Sequence, residues 1–264
     1  MLEIKDVHKT FNPGTINEKK ALNGLNLTLN DGDFVTVIGG NGAGKSTMLN
    51  MIAGVYPVDS GSIIIDGINV TKLPEHKRAK YLGRVFQDPM MGTAADMWIE
   101  ENMALASRRG QVRGLKWAIN NKEREQFKAM LSELDLGLEN RLSAKVGLLS
   151  GGQRQALTLL MAVMKKPKLL LLDEHTAALD PKTAAKVLEL SNKFISEDHL
   201  TAMMITHNMK DAIAYGNRLI MMNNGKIILD VSGEEKKKLT VEYLLDAFTK
   251  LSGSEFANDR ALLN

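Results

Sequence analysis

The nine residues from Gly39 to Thr47, GGNGAGKST, constrain this chain more than any other stretch. They follow an apolar run, Phe34 to Ile38, and precede the helix-like MLNMIAG. A glycine-rich loop that leaves a strand, enters a helix and closes on Lys-Ser is the context a phosphate-binding loop requires. Gly39, Gly42 and Gly44 let successive N–H groups turn inward around phosphate oxygens, with Gly40, Asn41 and Ala43 as the intervening backbone. The helix that follows points its positive end at the same anion. Lys45 is expected to reach the β- and γ-phosphates, Ser46 to coordinate Mg²⁺, and Thr47 to close on the α-phosphate side.

Length and composition bound the rest. With 264 residues, 44% of them hydrophobic and 25% charged, the chain can build one sizeable core and a smaller lobe. A net charge of +3 is too mild for a nucleic-acid binder, which concentrates a basic face, so no nucleic-acid partner is expected. Two local clusters, Arg108, Arg109, Arg113 and Lys116, and Lys236 to Lys238, read as solvated faces. The opening MLEIKDVHK lacks the layout of a secretory signal, and no apolar run reaches the roughly 18 to 20 residues that span a bilayer. The chain is therefore expected to stay in the cytoplasm. No cysteine is present, which leaves out disulfides and thiolate metal sites.

Hydrophobic patterning predicts strands over Leu2–Val7, Leu25–Leu29, Phe34–Ile38, Ser62–Ile65 and Arg84–Phe86. From Pro89 to Pro167 the pattern turns helical, with helices at Lys122–Leu134 and Gln153–Met164. Leu169–Leu172 and Ala202–Thr206 are short buried runs that flank a helix from Lys182 to Ser196, a strand-helix-strand unit of a parallel sheet. Leu219–Met222 and Lys226–Val231 predict a hairpin, followed by a helix at Val241–Lys250.

Two further motifs carry chemistry. LLLLDE places Asp173 and Glu174 at a strand exit, where Asp173 can hold Mg²⁺ and Glu174 can polarise the water that attacks a γ-phosphate. LSGGQ, Leu149 to Gln153, precedes an apolar helix; Ser150 suits its N-cap, and Gly151 and Gly152 permit a ligand's close approach.

Together the phosphate loop, LLLLDE and LSGGQ resemble the ABC ATPase family, in which LSGGQ is the signature sequence. The resemblance spans nearly the whole chain. It implies an α/β fold: a P-loop NTPase core of ABC type with an antiparallel β subdomain and an inserted α-helical subdomain. The expected division is a single domain, with 1–88 and 167–264 forming the catalytic core and 89–166 the helical subdomain. Carried over by position, Gln87 in RVFQDP matches the glutamine that senses the γ-phosphate and Mg²⁺. Asp180 in AALD matches the loop that crosses the dimer interface, and His207 in MMITHN matches the switch histidine. Phe11 stands where the family stacks an aromatic ring on adenine, although core packing is an equal use for it. Family members bind two ATP molecules between head-to-tail subunits, so Ser150, Gly151, Gly152 and Gln153 of one subunit face Lys45 of the other.

The resemblance therefore implies ATP hydrolysis with Mg²⁺ in a dimer, a homodimer on the simplest reading. It also implies transmembrane permease partners, an indirect substrate-binding protein, and a place on the cytoplasmic face of the membrane. FQDPMMGTAADMWIEENMALA and DEHTAALDPKTA look like ATPases of uncharacterised importers, some carrying aromatic or other amino acids. Met90, Met91, Met97 and Trp98 fit either a groove for a permease helix or core packing. His175, where the family commonly has proline, is either a tolerated turn residue or an electrostatic tuner of Glu174. The competing function is a soluble ABC ATPase of translation or DNA repair; against it stand the single cassette and the lack of coiled-coil heptads.

Overall fold

The computed structural model describes residues 1–111 and 119–252. In chain order the elements are β1 (Leu2–Phe11), β2 (Lys19–Leu29), β3 (Phe34–Ile38), α1 (Lys45–Ala53), β4 (Ser60–Ile65), β5 (Ile68–Asn69), α2 (Glu75–Arg78) and β6 (Leu82–Val85). There follow α3 (Ile99–Ser107), α4 (Asn121–Ser132), α5 (Gly151–Val163), β7 (Leu169–Asp173), α6 (Pro181–Glu197) and β8 (Ala202–Ile205). The chain closes with α7 (Met209–Ala214), β9 (Arg218–Asn223), β10 (Lys226–Ser232), α8 (Gly233–Lys237) and α9 (Val241–Ser252). These form two compact units, Met1–Arg78 with His199–Asn264, and Ala79–Asp198. No helix among the described residues is long and apolar enough to cross a membrane.

The first unit contains an antiparallel sheet ordered β2-β1-β4-β5. From Leu25 to Leu29 of β2, Leu25, Leu27 and Leu29 are buried while Asn26 and Thr28 are exposed, the period-2 pattern of a strand with one covered face. β3 is buried at every position, as a strand covered on both faces must be, and it pairs in parallel with β8 and β9. The β9–β10 hairpin turns on Asn224 and Gly225, both at positive φ (47° and 73°), which a two-residue turn of the right twist demands. Under it, Leu244 and Phe248 of α9 pack with Ile38, Met209, Ala212, Leu219 and Met221.

In the second unit β6 and β7 pair in parallel, Leu82 opposite Leu169 and Val85 opposite Leu172. Nearly every residue of α5 is buried, so it runs through this unit's core. α6 instead is amphipathic, burying Val187, Leu190, Ser191 and Phe194 along one face.

Several boundaries differ from the sequence expectation. β2 starts at Lys19 rather than Leu25, because pairing with β1 from Phe11 back to Leu2 recruits residues of weak strand propensity. β6 ends at Val85, so Phe86 lies beyond the ladder. The short helices α2, α7 and α8 are too brief for periodicity to reveal.

The basic clusters also need correction. Lys236 is not on a solvated face: it is buried, and its ammonium donates to the carbonyls of Ile213 (3.0 Å), Tyr215 (2.5 Å) and Gly216 (3.0 Å). Burial pushes it down to about 8. Arg108 pairs with Glu123 at 2.9 Å, and Arg109 donates to Ala162 O at 2.9 Å. Arg113 and Lys116 lie outside the described residues.

Candidate nucleotide site

The phosphate loop belongs to the first unit. Gly39, Gly42 and Gly44 have φ of 151°, 78° and 102°, where a side chain is strained. Space agrees with conformation: a Cβ on Gly39 would collide with the Met222 carbonyl, and one on Gly44 would lie 2.6 Å from Ala21 O. The hairpin turn braces the loop from behind, Gly225 N–H donating to Ala43 O at 2.9 Å. Lys45 opens α1 and is buried, with its ammonium donating to Gly39 O at 2.7 Å and Gly40 O at 3.2 Å. Its charge is thus centred on the loop's own backbone, as an anion cradle needs. Asn41 and Ser46 are exposed and Thr47 is half-buried.

Two other expected residues lie in this unit. Phe11 ends β1 and is half-buried, so it is not a core residue; Tyr56 meets its ring edge-on at 5.3 Å and 81°. His207 follows β8 and is half-buried; with Gly39, Thr206 and Phe248 it lines one small cavity. Asn208 caps α7, accepting from the N–H groups of Lys210 (2.9 Å) and Asp211 (3.2 Å), which fixes the backbone just after His207.

In the second unit, adjacent strand ends carry Gln87 and the acidic pair. Gln87 is exposed, two residues past β6. Asp173 ends β7 and meets Arg84 at 3.5 Å. Glu174 has φ 47°, a left-handed conformation that costs a non-glycine residue on the order of 1–3 kcal/mol and clusters at functional sites.

His175 lies in the turn after β7 and is buried there. Its Nε2 lies 2.9 Å from Ser191 Oγ, which itself donates to Val187 O at 2.8 Å. The serine proton being committed, the imidazole Nε2–H is the donor. Burial pushes His175 down to about 4, so it is neutral near pH 7 and exerts no charge on Glu174.

The signature lies in the same unit. Ser150 Oγ accepts from Gln153 N–H and Gln153 Oε1 accepts from Ser150 N–H, each at 3.2 Å, a reciprocal capping box at the start of α5. Ser150 and Gly151 are exposed, whereas Gly152 is buried and a Cβ there would collide with Thr183. Arg154 donates to the carbonyls of Val146, Gly147 and Leu149, bracing the segment ahead of the signature. Asp180 caps α6, accepting from Thr183 N–H at 3.1 Å. Hydrogen bonds from Thr183 hold its carboxyl below the usual range.

Met90, Met91 and Trp98 are 52%, 52% and 43% exposed, which removes the core-packing reading for them; Met97 is half-buried. Sequence reading missed Gln155, whose amide is buried in α5, and Arg154. Their signal was available: two polar residues on the buried length of an otherwise apolar helix.

Comparison with known proteins matches these features. The family model for ABC transporter covers residues 22–177. The chain is 46% identical over 253 residues to the tyrosine transport ATP-binding protein of Clostridioides difficile (strain R20291), covering 94% of this chain and 98% of that one. It is 34% identical to an ABC transporter ATP-binding protein of Bacillus subtilis (strain 168), covering 98% and 96%. Among solved structures, a dimeric ATP-binding cassette in a post-hydrolysis state, bound to ADP and Pi, superposes with a TM-score of 0.75 at 30% identity, covering 88% of this chain and 98% of that one.

Proposed function

Because the chain belongs to the ABC transporter family of ATP-binding proteins, whose members hydrolyse ATP, we propose that it powers import of a small solute, an amino acid such as tyrosine, through permease subunits in the membrane. The observation that carries this reading is the near end-to-end similarity to a tyrosine transport ATP-binding protein. The domain division that accompanies it is a single cassette, with 89–166 as a helical insert in a catalytic core of 1–88 and 167–264.

Each residue then has a task. Gly39 to Thr47 wrap the phosphates, and Lys45 neutralises the β- and γ-oxygens. Phe11, packed at a near right angle to Tyr56, offers its ring to adenine. Ser46 and Asp173 are suited to hold Mg²⁺ alongside phosphate oxygens and water, the donor set that ion prefers. When bound, Mg²⁺ supplies neutralisation of the charge that develops on the phosphates. Glu174 orients and deprotonates the attacking water, while Gln87 and His207 bind at the γ-phosphate. The exposed N-terminus of α5, with Ser150 as its cap, donates to the γ-phosphate of a second subunit, and Asp180 lies at the same interface. ATP thereby joins two subunits, and its hydrolysis releases them. Met90, Met91 and Trp98 provide an adaptable apolar surface for a permease helix, which would hold the chain at the cytoplasmic face of the membrane. A substrate-binding protein would deliver the amino acid to the permease.

The test is a complex purified mildly from native membranes, with its associated proteins and bound small molecule identified. Permease subunits and an amino acid are expected. In the same complex Glu174→Gln should bind ATP as the unmodified protein does and turn over about 100-fold more slowly or worse. Undiminished turnover would remove Glu174 as the base.

A further inference from the structure

Where the β6–β7 ladder stops, a side chain takes over. Gln155 Nε2 donates to Phe86 O at 2.8 Å and to His175 O at 2.7 Å. Phe86 immediately precedes Gln87, and His175 immediately follows Glu174. An amide nitrogen carries two protons and both are used here, so the group cannot turn over without aiming its oxygen at two carbonyls. Gln155 Oε1 is itself buried without a partner. An orphaned acceptor in a core is costly, so this side chain is satisfied in favour of the two backbones it joins. On its far side His175 is tied through its imidazole to Ser191 of α6. Gln155 also lies on α5, the helix that Ser150 caps.

We propose that Gln155 is a positioning residue that holds the backbones of Gln87 and Glu174 in register and passes engagement of the signature sequence on to them. This rests on the dimeric reading above, in which Ser150 serves the partner's nucleotide and Glu174 its own chain's. On that reading α5 touches both sites of the dimer. ATP drawn onto Ser150 loads a closely packed helix, and the amide beyond the first turn sets where Glu174 and Gln87 stand. Removing the amide separates catalysis from binding and one site from the other.

Gln155→Met keeps length and volume and removes both donors. Measured on the ATPase dimer, kcat is expected to fall about 10-fold or more, with KM for ATP within about twofold and a Hill coefficient reduced to 1. Gln155→Glu keeps the shape but sets a carboxylate against two carbonyls, and it should lose kcat at least as strongly. An unchanged kcat and Hill coefficient in folded Gln155→Met would overturn the proposal. So would parallel losses in kcat and ATP affinity with a lowered melting temperature, or failure of both variants to fold, since either would make Gln155 a residue of core stability. Glu174→Gln assayed alongside separates the two levels. If it still turns over, the catalytic reading fails; if it is silent while Gln155→Met is fully active and cooperative, the coupling alone fails.

Discussion

At the scale of single residues, the acidic end of β7 shows how burial decides a role. A histidine beside Glu174 invites an electrostatic reading, and with its ordinary pKa it could carry charge near neutrality. Complete burial against Ser191 instead drives its pKa to about 4, and its proton serves a hydrogen bond. His175→Ala should therefore leave the pH optimum of ATP turnover in place. Stability should suffer, because the change empties a buried site and removes the donor to Ser191; a loss of about 2 kcal/mol is expected from urea unfolding. A shifted pH optimum with unchanged stability would contradict this. Glu174 shows the complementary case, a non-glycine residue at φ 47° whose strained turn the surrounding hydrogen bonds must maintain.

At the scale of elements, α7 is only six residues long and begins two residues after His207. So short a helix has little stability of its own. Asn208 satisfies N–H groups at its start, and the ammonium of Lys236 collects carbonyls at and just beyond its end. Three charge-assisted acceptors offset the desolvation that lowers this lysine's pKa. Lys236→Met should cost about 1–3 kcal/mol in urea unfolding, since it leaves those carbonyls buried without a donor. Equal unfolding midpoints would show that water replaces the ammonium at no cost. Lys236 also marks the limit of sequence legibility. Its position within a run of three lysines carries no sign of burial, because the carbonyls it serves lie twenty or more residues away in the chain. The phosphate loop, LLLLDE and LSGGQ were legible because their conformation is local, a glycine turn, a strand exit and a helix cap set by adjacent residues. β3, β7 and the β9–β10 hairpin were legible for the same reason, through an apolar run or a turn sequence. The start of β2, the anchoring of His175 and the Gln155 amide depend on tertiary partners, which no local pattern records.

At the scale of the whole molecule, the proposed function assigns the chain two different anion-binding ends. One is the glycine loop before α1, built around Lys45. The other is the exposed, Ser150-capped start of α5, whose nearest cation, Arg154, spends its guanidinium on the carbonyls of Val146, Gly147 and Leu149. A helix end whose cation is engaged elsewhere is a weak phosphate site on its own and a useful one beside a phosphate already neutralised by a lysine. The proposed head-to-tail pairing would supply that combination twice. Lys45→Ala and Ser150→Arg, each purified alone, should hardly turn over, since the first leaves both composite sites without the lysine and the second blocks both signatures. Mixed in equal amounts, half the dimers are mixed, and each mixed dimer holds one intact site and one doubly altered site. Recovered turnover should then be about a quarter of the unaltered level if sites act singly, and less if they must act together. Mixed dimers can be counted by cross-linking in the same sample. No recovery where they are abundant would mean either that the sites do not alternate between subunits or that a single intact site cannot fire. Glu174→Gln in one subunit of an otherwise unaltered mixed dimer tells these apart, because it leaves every nucleotide contact in place and silences only one site.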